Sequence, residues 1–460
     1  MADGNPLKQI LKTSLPAVID LSSQTIMWTI EAILVAQLGA AIFAGVGMAN
    51  QITVVILTVL LTFIVGASLL VTRYVGANEQ QMANHVLAQA LILGIILSII
   101  ISLVLYYGAP NLFKLIRESD NHSNLTTELS RVFAEQAGVT YLRTVAIFVP
   151  LILTNFLAVG IIRGAGDTHL SMLVNIIINS LNLVLAPTLI FGLFIFPRLE
   201  VHGAALALGI SHSIGFLVTL YLLRTRKSVL FLSFKELASP NFETFKRLFK
   251  LGIPTTVEQM VWATGMLVVT SYAAYAGVTV LATHQIFVRI QTILSMAYLG
   301  FGMGAMTLMG KSLGAEQHRL AEKTAHTASR VVFVFVILVT IITISFSRTL
   351  ISIFTTEKKI LEMGAICIVM FAITQIPKAM NGVIIGSLRG CGDLKWLMWT
   401  TIFGVFVFEI GFNWGFLILL ENSVFLLFAL WAVQGVDEGI RFLLNYWRFK
   451  GGKWKFIDNL

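Results

Sequence analysis

Charged side chains are scarce in this sequence. Only 12% of its residues are Asp, Glu, Lys or Arg, against about 25% in soluble domains. Hydrophobic residues reach 57%, above the ~45–50% of globular proteins. The few charges stand between long apolar runs, such as 52–71 and 86–107. Helices built from such runs have no face for water, so a set of soluble domains is excluded.

Cysteine is also rare. The chain contains two, Cys367 and Cys391, and both fall in or beside a predicted helix, so no disulfide framework is expected. The amino terminus has no signal-peptide cleavage pattern, and we therefore expect the first apolar run to be retained.

Patterns typical of intramembrane enzymes are absent too. No apolar run carries an Asp-x-x-Asp, His-Glu-x-x-His or Gly-x-Ser-x-Gly sequence. We therefore expect a protein that is not an enzyme and that holds no cofactor and no metal. The net charge of +9 is better explained by membrane topology than by a nucleic-acid partner.

The apolar runs are long enough to cross a lipid bilayer as helices. A spanning helix needs about 20 apolar residues, whereas barrel strands need only ~9–11, and other backbone conformations leave polar groups unpaired in lipid. The sequence therefore predicts an all-α integral membrane protein with twelve transmembrane helices. The predicted spans are 14–37, 43–72, 84–108, 134–162, 168–194, 201–223, 251–276, 280–311, 320–346, 358–388, 394–420 and 422–447.

The distribution of basic residues predicts the topology. The segment 224–250 contains seven Lys or Arg residues against two acids, Glu236 and Glu243, and such an excess marks a cytoplasmic segment. The basic tail 448–455 then lies on the same side, since twelve spans return the chain there. We expect a multi-pass protein of the plasma or inner cell membrane with both termini in the cytoplasm and the loop 109–133 outside.

The two halves of the chain repeat each other. Pro16 opens the first span and Pro254 opens the seventh, and each proline is followed four residues later by an acid, Asp20 or Glu258. The Gly-Ala pair after the second span recurs after the eighth with the same offset as the prolines. Because each half has six spans, the halves share one orientation and should be related by a pseudo-twofold axis along the membrane normal.

A second pair of matching elements follows the fourth and tenth spans. Arg-Gly-Ala-Gly-Asp ends at Asp167, and Arg-Gly-Cys-Gly-Asp ends at Asp393. No Lys-Ser or Lys-Thr follows, so nucleotide binding is not indicated. The glycines indicate tight cytoplasmic turns, with an Arg and an Asp available for a local ion pair. The turn residues are Arg163, Gly164, Gly166, Asp167, Arg389, Gly390, Gly392 and Asp393.

This repeat predicts the domain organisation. Residues 1–223 form an N-lobe of six helices, residues 224–250 a basic cytoplasmic linker, and residues 251–460 a C-lobe of six helices with a cytoplasmic tail. Two lobes of this kind place a substrate cavity between them and allow alternating access by rocking.

Ionisable residues within the spans are candidates for coupling to a cation, because each costs about 2.5–3.5 kcal/mol to insert. Asp20 and Glu31 are eleven residues apart, which returns them to one face of a helix. They could instead lie near span ends and reach water. Lys378 and Glu258 lie at similar depth, which suggests either an ion pair that takes part in coupling or a static bridge. Glu409 is a fifth such residue, more typical of helix packing.

Polar side chains in the fifth span form a stripe. Asn175, Asn179 and Asn182 recur at i, i+4 and i+7 and therefore share one helix face. They would either bond a neighbouring helix or face a central cavity, and we favour the cavity. Methionines would add an adaptable apolar wall to it.

At these positions the chain resembles the multidrug and toxic compound extrusion (MATE) family. The likeness lies in the doubled proline, Gln24-Thr25, Leu281-Ala-Thr-His-Gln285-Ile, the doubled Arg-Gly-x-Gly-Asp turn and the Gly-Ala pairs. It implies twelve helices in two lobes and antiport of organic, often cationic, compounds against inward H⁺ or Na⁺. The residues assigned to the substrate cavity are Asn175, Asn179, Asn182, Gln24, Met27, Gln285, Asn155 and Asn381.

The resemblance also suggests roles for individual acids. The acid that the family carries in its first helix falls on Glu31. Where some prokaryotic members have an Asp before a proline in the fifth helix, this chain has Ala186 before Pro187. Where others bind Na⁺ through acids of helices seven and ten, Glu258 matches the first, but Lys378 falls at or near the second. An ammonium there would repel Na⁺, so the sequence favours protons slightly.

The expected function is therefore that of a secondary active multidrug exporter. Protonation of Glu31, with Asp20, Glu258 and Lys378 as further coupling residues, would bias inward-open and outward-open states. The expected partners are small organic substrates, H⁺ or Na⁺ and the bilayer, and we expect the protein to function as a monomer. The alternative is a lipid-linked flippase or dedicated metabolite exporter of the same superfamily. Such a flippase would need a more cationic cavity than four acids against Lys378 provide.

Overall fold

The first half of the chain forms six long helices. The computed structural model describes residues 6–118, 125–237, 239–420 and 423–457. The helices of the first half are α1 (Pro6–Ala36), α2 (Ala40–Gly76), α3 (Gln80–Glu118), α4 (Leu125–Gly164), α5 (Thr168–Phe191) and α6 (Glu200–Arg224).

The second half also has six long helical segments, one of which is divided into two parts, and two short helices. A short helix, α7 (Phe234–Leu237), precedes α8 (Phe242–Tyr275), α9 (Val278–Gly314), α10 (His318–Ser345), α11 (Ser347–Ser352), α12 (Lys358–Gly390), α13 (Leu394–Gly404), α14 (Asn413–Leu419) and α15 (Ser423–Lys450). One 3₁₀ turn, Lys453–Phe456, follows α15.

Length and apolar composition qualify ten helical segments of the described chain as membrane spans, with α13 to α14 taken as one. Helices α8 and α15 are also long, with 34 and 28 residues. They raise the number of long helical segments in the described chain to twelve. The prediction of an all-α membrane protein with twelve spans is confirmed. The helices extend beyond several predicted spans, and α8 begins at Phe242 where the span was placed at 251.

The eleventh span contains a π-helical segment. Residues Val405–Phe412 form a π-helix that directly joins α13 to α14, so the backbone is helical along the whole span. A π segment widens the helix locally and recurs at functional sites. Glu409, one of the predicted intramembrane acids, lies within it.

Two compact units make up the chain. The N-terminal unit comprises residues 19–71 and 79–252, and the C-terminal unit comprises residues 1–18, 72–78 and 253–460. In the N-terminal unit α4 packs against α3, α5 and α6. In the C-terminal unit α12 packs against α9, α10 and α15. The helix that ends in the Arg-Gly-x-Gly-Asp turn is therefore central in each unit.

The two turns have the same backbone structure. Gly166 and Gly392 adopt φ angles of +87° and +83°, a left-handed conformation that favours glycine. In the first turn the Asp167 amide donates to the Ile162 carbonyl, and in the second the Asp393 amide donates to the Leu388 carbonyl. These bonds occupy equivalent positions in the two halves, so the repeat extends to the backbone.

The basic segment 224–250 is attached to α3 by polar contacts. Buried Gln89 donates to the Ser239 carbonyl over 2.9 Å and accepts from the Asn241 amide over 2.7 Å. His85 contacts Glu236 over 2.7 Å. This part of the predicted linker is therefore packed on the N-terminal unit.

Candidate functional site

Asp20 is the centre of a polar network in the N-terminal unit. Its carboxylate is buried and accepts hydrogen bonds from Arg163 Nη2 over 2.6 Å, Ser171 Oγ over 2.9 Å and Asn175 Nδ2 over 2.6 Å. Arg163 Nε also donates to Ser171 Oγ over 3.1 Å. Both carboxylate oxygens are thus bonded, and an arginine compensates the charge.

The C-terminal unit contains the counterpart of this ion pair. Arg389 Nη2 donates to Glu258 Oε1 over 2.6 Å, and Glu258 is buried. Within the described residues Glu258 Oε2 has no hydrogen-bond partner. The second unit therefore keeps the arginine–acid pair without the additional donors that surround Asp20.

These contacts correct two expectations from the sequence. The suggested ion pair of Glu258 with Lys378 does not form, because Glu258 binds Arg389 and Lys378 Nζ lies 3.6 Å from Glu438 Oε1. The arginine and aspartate of each turn do not pair locally either. Asp393 instead accepts from Arg448 Nε over 2.7 Å.

Asp167, the acid of the first turn, accepts a long hydrogen bond of 3.4 Å from the Val229 amide. Each turn arginine thus points back to the first helix of its own repeat, and each turn aspartate contacts a segment further along the chain.

Glu31 lies in different surroundings from Asp20. It is 7% exposed, and the Tyr141 hydroxyl of α4 donates to its Oε1 over 3.1 Å. No ion pair of Glu31 occurs in the described part of the chain. Tyr141 belongs to an apolar cluster that also contains Ala186, the position at which a second carboxylate is missing. The two acids of α1 therefore differ: one is fixed by an arginine and the other is held by a hydroxyl.

The asparagine stripe of α5 faces α1 over at least two of its three positions. Asn175 binds Asp20, and Asn179 Nδ2 donates to Ser23 Oγ over 2.9 Å. Asn182 is buried, and among the described residues its Nδ2 has no hydrogen-bond partner. The first two amides thus join helices, whereas the third does not take part in that contact.

The remaining cavity candidates have varied surroundings. On α1, Gln24 is half-buried and Met27 is buried, whereas Gln285 on α9 is exposed. Asn155 accepts from Thr219 Oγ1 over 2.9 Å. Its repeat counterpart Asn381 accepts from Asn445 Nδ2 over 2.9 Å and donates to Glu438 Oε2 over 2.8 Å.

The C-terminal unit contains a set of buried charged side chains that was predicted only in part from the sequence. We call it the α15 charge cluster, and it consists of Lys378, Glu409, Asp437, Glu438 and Arg441. Four of these residues are buried, and the Lys378 side chain is only 11% exposed. Lys378 and Glu409 are among the intramembrane residues predicted from the sequence. The other three, Asp437, Glu438 and Arg441, are not, although they fall inside the predicted span 422–447 at helical spacing. The count of four intramembrane acids against one lysine was therefore incomplete.

The α15 charge cluster is not part of the repeat. At the offset that relates Asp167 to Asp393, the N-terminal unit has Ser211, His212 and Gly215 where the C-terminal unit has Asp437, Glu438 and Arg441. The counterpart of Glu409 is Leu183, and that of Lys378 is Ile152. The two units therefore share the arginine–acid pair, and the C-terminal unit has a charged group of its own.

Twelve long helical segments in the described chain, ten of them apolar enough to cross a membrane and several with buried acids, are typical of a membrane transporter. The MatE family profile matches residues 16–188 and 254–414. This chain belongs to that family, the multidrug and toxic compound extrusion transporters, and it is a transporter and not an enzyme.

Similar proteins extend along nearly the whole chain. The "Probable multidrug resistance protein NorM" of Thermotoga maritima is 26% identical over 97% of this chain and 93% of its own length. The "Uncharacterized transporter YisQ" of Bacillus subtilis is 26% identical over 95% of this chain and 93% of its own.

Solved structures share the fold. One described as "Outward-facing conformation of a multidrug resistance MATE family transporter of the MOP superfamily" has a TM-score of 0.85 at 23% identity and covers 97% of both chains. Another, "Crystal structure of MATE in complex with MaL6", has a TM-score of 0.87 at 23% identity and covers 98% of both.

Proposed function

We propose that this protein is a proton-coupled exporter of amphipathic organic cations and that Glu31 is its proton-binding group. The observation that carries the proposal is the contrast between the buried acids. Arg163 binds Asp20 and Arg389 binds Glu258, each over 2.6 Å, whereas the partner of Glu31 is the neutral hydroxyl of Tyr141.

The cost of protonation differs between these acids. Protonating Asp20 would leave the Arg163 guanidinium without its counter-ion, and breaking a buried pair in this way costs about 3–5 kcal/mol. Glu31 can gain or lose a proton without breaking any ion pair of the described chain. We therefore assign proton exchange to Glu31 and a positioning role to Asp20 and Glu258.

Coupling requires that the two protonation states favour different conformations. An uncompensated carboxylate inside a membrane is costly unless it meets water or a cation. The charged form of Glu31 thus favours a state that admits water or a cationic substrate, and the neutral form favours a closed apolar surrounding. Proton and substrate then shift the same equilibrium in opposite directions.

The nature of the substrate is inferred from relatives and from charge. Relatives such as the "Multidrug resistance protein MdtK" of Yersinia pseudotuberculosis, 23% identical over 86% of this chain and 84% of its own length, support a small organic compound. An acid whose described partner is a hydroxyl, and not a fixed cation, favours a compound of positive charge.

Topology and assembly complete the proposal. The basic segment 224–250 supports cytoplasmic termini in a plasma or inner cell membrane. We propose alternating access between lobes 1–223 and 251–460, within a functional monomer.

The test is transport by the purified protein in proteoliposomes. Ethidium is supplied as a fluorescent organic cation, and a pH gradient or a Na⁺ gradient is imposed separately. We expect the pH gradient to drive transport in wild type and in Glu31→Asp, and Glu31→Gln to lose that dependence.

Glu79→Gln is the matched control, because Glu79 is exposed and the chemical change is the same. Wild-type transport by Glu31→Gln under a pH gradient would contradict the role of Glu31. Transport driven only by Na⁺ would contradict proton coupling.

A further inference from the structure

The α15 charge cluster contains more acids than cations. Its acids are Glu409, Asp437 and Glu438, and its cations are Lys378 and Arg441. If all five were ionised, the cluster would have one uncompensated negative charge within a buried site. A single negative charge of this kind has to be matched by a bound cation or removed by a proton.

The ion pairs show which acid lacks a cation. Arg441 Nε donates to Asp437 Oδ1 over 3.1 Å, and Arg441 Nη2 lies 3.3 Å from Glu438 Oε1. Lys378 Nζ lies 3.6 Å from the same Glu438 oxygen. Asp437 and Glu438 are therefore both compensated, and Glu409 is the remaining acid.

Glu409 is a buried acid, 3% exposed. Within the described residues its carboxyl group makes no hydrogen bond or ion pair. It is within electrostatic range of Asp437, Glu438, Arg441 and Lys378. A buried polar group normally has a partner in a folded protein, so this carboxyl group is a candidate to bind a ligand from outside the chain.

The space around this carboxyl group is created by glycine. A Cβ atom at Gly265 of α8 would lie 2.8 Å from Glu409 Oε2, and a Cβ at Gly404 would collide with Asp437 Oδ1. Glu409 also lies in the π segment, which re-aims side chains relative to a regular helix. Two glycines and a π turn thus accommodate the acids against neighbouring helices.

The surroundings favour a proton over a metal ion. Metal ions need several ligands, and the described residues contain no group of three or more His, Cys, Asp or Glu side chains that could hold one. The Lys378 ammonium and the Arg441 guanidinium would repel a cation. A proton needs one oxygen lone pair, and it would make the net charge of the cluster zero.

We propose that Glu409 is a second, exchangeable proton-binding site, located in the C-terminal unit. The charged groups that face it are Asp437, Glu438 and Arg441 of α15 and Lys378 of α12. From α8 it meets Gly265, while the hydroxyl of Tyr272, also on α8, donates over 3.3 Å to the carbonyl of the adjacent Ile410. The site goes beyond the proposed function and does not depend on Glu31 or on any substrate.

Infrared difference spectroscopy of the full chain in lipid tests this directly. As the buffer is changed from mildly alkaline to mildly acidic, wild type should gain a protonated-carboxyl band that Glu409→Gln lacks. Proton uptake followed with a pH indicator should be one proton per chain smaller in Glu409→Gln. The control Glu362→Gln, at an exposed position, should keep both signals.

Two further variants keep the test decisive if Glu409→Gln fails to fold. Glu409→Asp should retain the band at a shifted frequency. Lys378→Met removes one compensating cation, so the cluster should bind an additional proton and the band should grow. An unchanged band in Glu409→Gln, no growth in Lys378→Met, or carboxylate bands that respond to Na⁺ at constant pH would each overturn the proposal.

The outcome is separable from that of the proposed function. Glu31→Gln should leave the Glu409 band in place, and the double variant should lose both contributions. A failure of proton-driven transport in proteoliposomes would therefore leave the infrared result intact.

Discussion

Arg163 donates a hydrogen bond of 2.6 Å to Asp20 and so ties the end of α4 to α1. The arginine is only 14% exposed, and the acid is buried. The same connection recurs in the second repeat, where Arg389 binds Glu258. A contact that both units retain, although their sequences otherwise differ at these helices, indicates a structural requirement of the repeat.

The first prediction concerns this pair. Arg163→Gln leaves the Asp20 charge buried without its counter-ion, and we expect the free energy of unfolding to fall by about 3–5 kcal/mol. The matched control is Arg198→Gln, because Arg198 and Glu200 form an exposed pair that contributes only ~0–1 kcal/mol. Unfolding in mixed micelles titrated with sodium dodecyl sulfate measures both. Equal losses in the two variants would contradict a structural role for the buried pair.

The second prediction concerns the hydrogen bond that holds Glu31. Tyr141→Phe removes the hydroxyl that donates to its carboxyl group and keeps the ring in the apolar cluster. One net hydrogen bond contributes about 0.5–1.5 kcal/mol, so we expect proton-driven transport to persist with a rate altered by roughly 2- to 10-fold.

Initial rates of ethidium transport across a series of pH values measure this effect. Glu31→Gln in the same series should be flat with pH, and Tyr141→Phe should still vary with it. A flat profile for Tyr141→Phe would contradict this expectation, because proton exchange at Glu31 would then require the tyrosine hydroxyl.

Hydrophobic runs made the helices predictable from the sequence. Twelve spans follow from the length and spacing of apolar residues alone. The helix ends did not follow, because polar turns outside the bilayer continue α1 back to Pro6 and α8 back to Phe242. The π segment could not be predicted either, because nothing in the apolar run 405–412 distinguishes it from an ordinary α-helical part of the span.

Ion pairing was predictable only in part. The repeat placed an acid four residues after each proline and an arginine at each turn, and the equivalence alone could have suggested Asp20 with Arg163 and Glu258 with Arg389. The choice of Arg389 over Lys378 depends on which helix faces Glu258. The neighbours of Glu438 on α12 likewise depend on packing that a single sequence does not determine.

The third prediction tests the glycine beside the α15 charge cluster. A Cβ at Gly404 would meet Asp437 Oδ1 and Arg441 Cδ, so Gly404→Ala must displace a buried ion pair, at a cost of about 1–3 kcal/mol. Gly415, on the same span, has open space at the Cβ position. Gly415→Ala should therefore be neutral or stabilising by up to ~1 kcal/mol, because alanine favours a helix.

Denaturation in mixed micelles again measures the difference. The proposed packing would be wrong if the two alanine variants had the same stability.

The fourth prediction compares two equivalent asparagines. Asn381→Ala removes the hydrogen bonds to both Asn445 and Glu438, and all three residues are buried. Leaving a buried group without a partner costs about 1–3 kcal/mol, more for a charged one, so we expect a loss at the upper end of that range.

Asn155→Ala is the matched variant in the other repeat, with the same atoms removed. Thr219 loses its bond to Asn155 but keeps its bond of 2.9 Å to the Gly215 carbonyl, so the loss should be smaller, about 1 kcal/mol. Free energies of unfolding measured side by side decide between two readings of the repeat. A larger loss for Asn381→Ala means that this asparagine supports Glu438 and hence the α15 charge cluster. Equal losses would mean that both asparagines serve the shared scaffold alone.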